Sequence, residues 1–238
     1  MDPLTSFNSR TAAYVEARDE GLRRYMLGIF ANMGVGLLIT GAVAAAVAST
    51  PALYGPIFGT PLKWVAMLAP LGFVFLLSAG IHRMSASAAR TAFYAFAGVM
   101  GVSMASIFLV FTATSIAGAF FAAAALFLGM TLWGYTTKTD LTRFSTFLMI
   151  GLFAVVGVSL INLLIGSSAL QMIVSVAGIL VFTGLTAWDA QRLKSEYFAY
   201  GGNGELAAKL GIMGALSMYL NLVNLFQLLL GLFGQREE

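Results

Sequence analysis

The sequence has no cysteine, one histidine and very little charge. Without cysteine there are no disulfides, no thiolate metal sites and no cysteine nucleophile. The single histidine, His82, excludes a bis-histidine haem and a histidine-rich metal centre. Soluble domains carry about 25% charged residues, whereas here 10% are charged and 59% hydrophobic. A chain of 238 residues with that balance can build a core but cannot cover it with polar side chains. Its outer surface is therefore expected to face lipid, and no sizeable soluble domain fits beside it. The net charge of +3 is small and dispersed, which argues against a nucleic-acid partner.

What is present is a series of apolar runs. They cover residues 25–49, 62–81, 91–111, 115–135, 144–165, 169–188 and 211–233. Each is close to the ~20 residues needed to cross the hydrocarbon core. Backbone amides must be satisfied within a segment there, so helices are expected. The runs lack the alternation of a barrel strand. The first run is longer than the about 7–15 residues of a signal peptide and reads as a span. The organisation is thus a polar tail over residues 1–24, a seven-helix transmembrane domain over 25–234, and a short tail over 235–238.

Basic residues set the orientation. The N-terminal tail carries Arg10, Arg18, Arg23 and Arg24. The next loop has only Lys63 at its edge, and the following ones alternate: Arg83 and Arg90, then none, then Lys138 and Arg143, then none, then Arg192, Lys194 and Lys209. By the positive-inside rule the N-terminus lies in the cytoplasm and the C-terminus outside.

Ionisable groups within spans cost roughly 2.5–3.5 kcal/mol for Asp at a helix centre, so they point to function. Asp189, at the end of the sixth span, is the acidic residue that meets this criterion; the others are expected in tails and loops. No helix breaker follows until Gly201, so this helix is expected to continue toward Tyr200. Asp189 is either an interfacial carboxylate paired with Arg192 at i+3, or an ion or proton site, with calcium as a candidate metal. In the seventh span Gly214, Ser217, Asn221, Asn224, Leu228 and Gly231 recur at spacings of three and four and share one face. That stripe is either hydrogen-bonding glue between helices or the lining of an ion path. Arg90, at the start of the third span, is either a positive-inside anchor or a basic partner for Asp189. Glycine pairs such as Gly34 and Gly36, Gly98 and Gly101, or Gly211 and Gly214 allow close helix contact or are ordinary membrane composition. Enzymatic readings find no support. There is no phosphate-binding glycine motif, no metalloprotease motif, no second buried carboxylate and no lysine inside the seventh span. No resident cofactor is expected.

Two stretches carry a resemblance. VFTGLTAWDAQRLK, residues 181–194, and ALSMYLNLVNLF, residues 215–226, resemble the sixth- and seventh-helix signatures of the Bax inhibitor-1 family, also called the transmembrane Bax inhibitor motif family. The resemblance implies a seven-helix bundle with the seventh helix central, and a calcium leak regulated by pH. It implies that two aspartates, one on each of the last two helices, close the cytoplasmic side. Asp189 matches the first; Asn221 stands where the second is usual, and Val99 and Met100 stand near a glutamate common in the third helix. The absent like-charge term predicts a weaker or more acidic pH response than an aspartate pair would give. The expected protein is a bacterial cytoplasmic-membrane leak for calcium or protons with lipid as its surroundings. The competing expectation is a regulatory protein that binds other membrane proteins, such as a membrane protease or a stress-response partner.

Overall fold

The computed structural model describes residues 3–201 and 204–236. Expectations placed on the side chains of residues 1–15 and His82, and on residues 202–203 and 237–238, lie outside what it describes. The helices are α1 (Pro3–Ala48), α2 (Pro51–Phe58), α3 (Leu62–Gly80), α4 (Ala86–Val110), α5 (Ala113–Thr136), α6 (Thr142–Ile165), α7 (Ser168–Tyr200) and α8 (Gly204–Phe233). All but α2 contain a stretch long and apolar enough to cross a membrane. The chain is an all-α, seven-span membrane protein.

Local chemistry sets the breaks. Ser85, Thr112 and Ser167 accept hydrogen bonds from the amides of Ala88, Ser115 and Leu170, capping α4, α5 and α7. Gly166 ends α6 at φ 71°, a left-handed conformation natural to glycine. The buried Asn162 side chain accepts from the Ser167 amide at 3.0 Å and fixes the turn into α7.

Two boundaries differ from expectation. The polar tail is not a separate segment, since α1 is continuous from Pro3 through the first span. Its residues 16–20 are exposed while Leu22 is buried, so helix geometry simply continues past the lipid-facing part. The loop after the first span also contains the short helix α2, started by Pro51 in its first turn.

The packing is layered around α8. It touches α1, α4, α5 and α7, and it has the largest buried share of any span. Helices α3 and α6 lie outside, against α4 and α7 respectively. Their outer faces are apolar: Leu164 is 81% exposed, Phe147 72% and Leu76 73%. Such a surface suits hydrocarbon rather than water. Tyr219 of α8 anchors the centre, edge-on to Phe93 and Phe96 of α4. Its hydroxyl lies 2.6 Å from that of Thr40 on α1, which in turn lies 2.9 Å from the Ala97 carbonyl of α4, so buried hydrogen bonding at Thr40 ties three helices.

Candidate functional site: a carboxylate in the seam between α7 and α8

Helix α7 runs to Tyr200, as its lack of breakers predicts, so Asp189 lies well inside a helix. Its side chain is buried and points at α8. The Asn221 amide donates to Asp189 Oδ2 at 2.7 Å. Arg192 Nη2 lies 2.8 Å from Asp189 Oδ1 and donates across the seam to Ser217 Oγ at 3.3 Å. The same guanidinium has its Nε 3.4 Å from Glu196 Oε1 and its Cζ 4.9 Å from the Trp188 ring centre. Neither Asp189 Oδ1 nor Arg192 Nε completes a well-angled hydrogen bond, so the pair is held by charge more than by directed bonds. A buried ion pair returns little net stability for the solvation it gives up.

The rest of the 189–194 stretch fixes this geometry. Gln191 accepts from the Leu141 amide and donates to the Thr139 carbonyl, each at 2.8 Å, pinning the α5–α6 turn onto α7. Lys194 donates to the Tyr135 carbonyl at 3.2 Å, placing a cation at the C-terminal end of α5. In the same turn the Thr142 amide donates to Asp140 at 2.9 Å, which holds that exposed carboxyl below the usual carboxylate range. Close backbone approach completes the frame. A Cβ added at Gly134 would run into the carbonyl of Ala187, and one at Gly214 into the side chain of Leu193. The Tyr25 and Tyr197 rings, 5.5 Å apart, join α1 to α7 beyond the site.

The stripe read from the sequence is the face that α8 turns to α7. Along it Gly214 meets Leu193, Ser217 meets Arg192, Asn221 meets Asp189, and Leu228 meets Gly178. Asn224 departs from the set: its amide donates to the Leu220 carbonyl of its own helix at 2.7 Å. The off-stripe residues Leu222 and Phe226 are buried too, because α8 is surrounded. Arg90 stands exposed on α4 and is not the cation paired with Asp189; Arg192 is. Glu196 was expected in a loop but belongs to α7, four residues beyond Arg192. Its i+4 spacing to Arg192 was the available signal.

The sequence from residue 22 to residue 238 matches the family described as inhibitor of apoptosis-promoting Bax1. The chain belongs to the Bax inhibitor-1 family. Among similar proteins of the family, one of Rickettsia prowazekii, named only as uncharacterised, is 41% identical over 220 residues, covering 92% of this chain and 93% of its own. One of Caulobacter vibrioides, equally unnamed by function, is 38% identical over 229 residues, 92% of each chain. The inner membrane protein YbhL of Escherichia coli is 39% identical over 230 residues, 95% of this chain and 97% of its own. In this Bax inhibitor-1 family member the two signature stretches are the two sides of one seam.

Proposed function

We propose that the chain is a non-enzymatic calcium-permeable leak in a bacterial cytoplasmic membrane, with its N-terminus in the cytoplasm and the α7–α8 seam as its gate. The observation that carries this reading is the buried Asp189 carboxylate, facing α8 and neutralised by Arg192 from its own helix. Hard cations such as calcium take carboxylate, amide and hydroxyl oxygens. Asp189, Glu196, Asn221 and Ser217 supply those groups around the space that the guanidinium fills. Arg192 then acts as a tethered cation that a permeating ion must displace. The inner-membrane name of YbhL supports the location. The proposed site holds no resident cofactor, and its regulation by protons is weaker than that of a two-aspartate pair.

The test is calcium efflux from loaded vesicles containing the purified protein. Wild type is expected to leak above empty vesicles. Asp189→Asn removes the closer of the guanidinium's two carboxylate partners and leaves only Glu196 against it, so the seam repels the ion more and flux should fall. Arg192→Gln removes the tethered cation, so flux should rise. No leak from folded wild type, together with none from Arg192→Gln, sinks this reading and leaves the family role as a regulator that binds other membrane proteins.

A further inference from the structure

On the side of α8 away from Asn221 lies a cleft of about 870 Å³, walled by α1, α4 and α5, with α8 as its floor. Leu222, Val223 and Phe226 form that floor, Gly41 and Thr40 line the α1 wall, and Ala117 lines the α5 wall. Helix α5 barely touches α4 beyond their connecting turn and hardly touches α1, so the wedge between α5 and the packed α1–α4 pair stays open. At the rim Leu38 is 74% exposed and Phe121 70%, so the mouth opens onto the lipid-facing surface.

The lining offers nothing to a polar ligand. Its one hydroxyl, on Thr40, is already engaged with Tyr219 and with the carbonyls of Gly36 and Ala97. A buried water needs two to four polar partners, so water does not hold this space. The lining lies in the half of the bundle that ends at the α4–α5 turn, and its floor residues on α8 precede the end of that helix at Phe233 by two to three turns, within hydrocarbon depth. At the mouth, lipid tails are the solvent, so a chain that enters gives up little freedom relative to its neighbours. An added Cβ at Gly34 or Gly41 would meet nothing within 4 Å, which shows unfilled width beside α1.

We infer that this cleft is a binding site for a single lipid acyl chain, which enters between α1 and α5 and lies against α8. It is independent of the ion-leak reading, because it rests on a different face of α8.

The experiment uses the full chain in vesicles containing a phospholipid with a photoreactive group midway along its acyl chain. After irradiation, labelled residues are located by mass spectrometry. Leu222, Val223 and Phe226 are buried at 4%, 4% and 8% exposure, so only an inserted chain reaches them. Label is expected there as well as on the outward Phe147. Gly41→Leu fills the cleft while improving helix propensity; it should remove the α8 label several-fold and leave Phe147 labelled. Ala117→Leu, nearer the mouth, gives a second filled variant should the first fail to fold. Label on Phe147 with none on α8 overturns the inference, as would happen if a second protein helix occupied the cleft. Label on α8 undiminished in the folded filled variants overturns it equally.

Discussion

Asp189 is held from two helices at once, and each partner has a separable role. Asn221 satisfies one carboxylate oxygen with a directed bond, and Arg192 neutralises the other. Removing a partner from a buried polar group costs its desolvation, about 1–3 kcal/mol. Asn221→Leu is therefore expected to lower thermal stability in detergent by that order, and Asn224→Leu by less, since Asn224 bonds only to its own helix. Equal losses in the two variants would mean that the seam bond is not special. Asn221→Asp asks a different question. It places a second carboxylate at hydrogen-bond distance from Asp189, and two such groups do not both ionise cheaply. Calcium flux from this variant is expected to change with pH across about 5–8, where such pairs exchange a proton, while the wild type stays flatter. A wild type that switches as steeply as the variant would remove Asn221 from the account of pH sensing.

Among elements, contact between helices α5, α7 and α8 depends on where backbone comes close, and glycine decides that only at certain positions. Gly134 packs α5 directly onto the α7 backbone at Ala187, two residues before Asp189. Gly134→Ala forces these helices apart; overpacking of this kind costs typically 1–3 kcal/mol. Gly129→Ala, about one and a half turns away on the same helix and with nothing within 4 Å, is the matched control and should hold or raise stability. A circular-dichroism melt of both variants checks the difference; equal melting temperatures would show that the close approach is dispensable. This pair also shows what the sequence can and cannot disclose. Spans, the continuation of α7 and the shared face of Gly214, Ser217 and Asn221 follow from hydropathy and period alone. Which glycine is tight does not. Gly36, Gly101 and Gly214 are tight, Gly34 and Gly98 open, and Gly134 comes closest to another helix's backbone, yet all look alike in an apolar run. The same limit applies to Arg192 and Arg90. Both sit near the basic end, and only the direction in which α7 presents its side chains makes Arg192 the partner of Asp189.

In the whole molecule, contacts between loops define two ends. At one, the Ala86 amide donates to Glu205 at 2.9 Å, Gln191 holds the α5–α6 turn, and Arg18 lies 4.2 Å over the Phe198 ring. At the other, the Thr112 amide donates to the Gln235 carbonyl and the Gln235 amide to Ser115. Arg18, Arg83, Arg90, Lys138, Arg143, Arg192, Lys194 and Lys209 belong to the first end, whereas Lys63 and Arg236 belong to the second. Basic residues are retained on the cytoplasmic side during insertion, so the first end should face the cytoplasm. A reporter active only in the cytoplasm should then give signal when inserted in the α5–α6 turn near Lys138 and none when fused after Arg236. A periplasm-dependent reporter should give the reverse. Because three spans, α6, α7 and α8, separate the two positions, signal at both from intact protein would mean that one of these three does not cross. The candidate is α6, whose window is the least buried of those three. Signal only at the C-terminal fusion would mean either that the whole bundle is inverted or that α3, with the least buried window of the seven and Pro70 inside it, does not cross; both place the Asp189 seam at the outer face, so a gate against cytoplasmic calcium entry would have to be sought elsewhere.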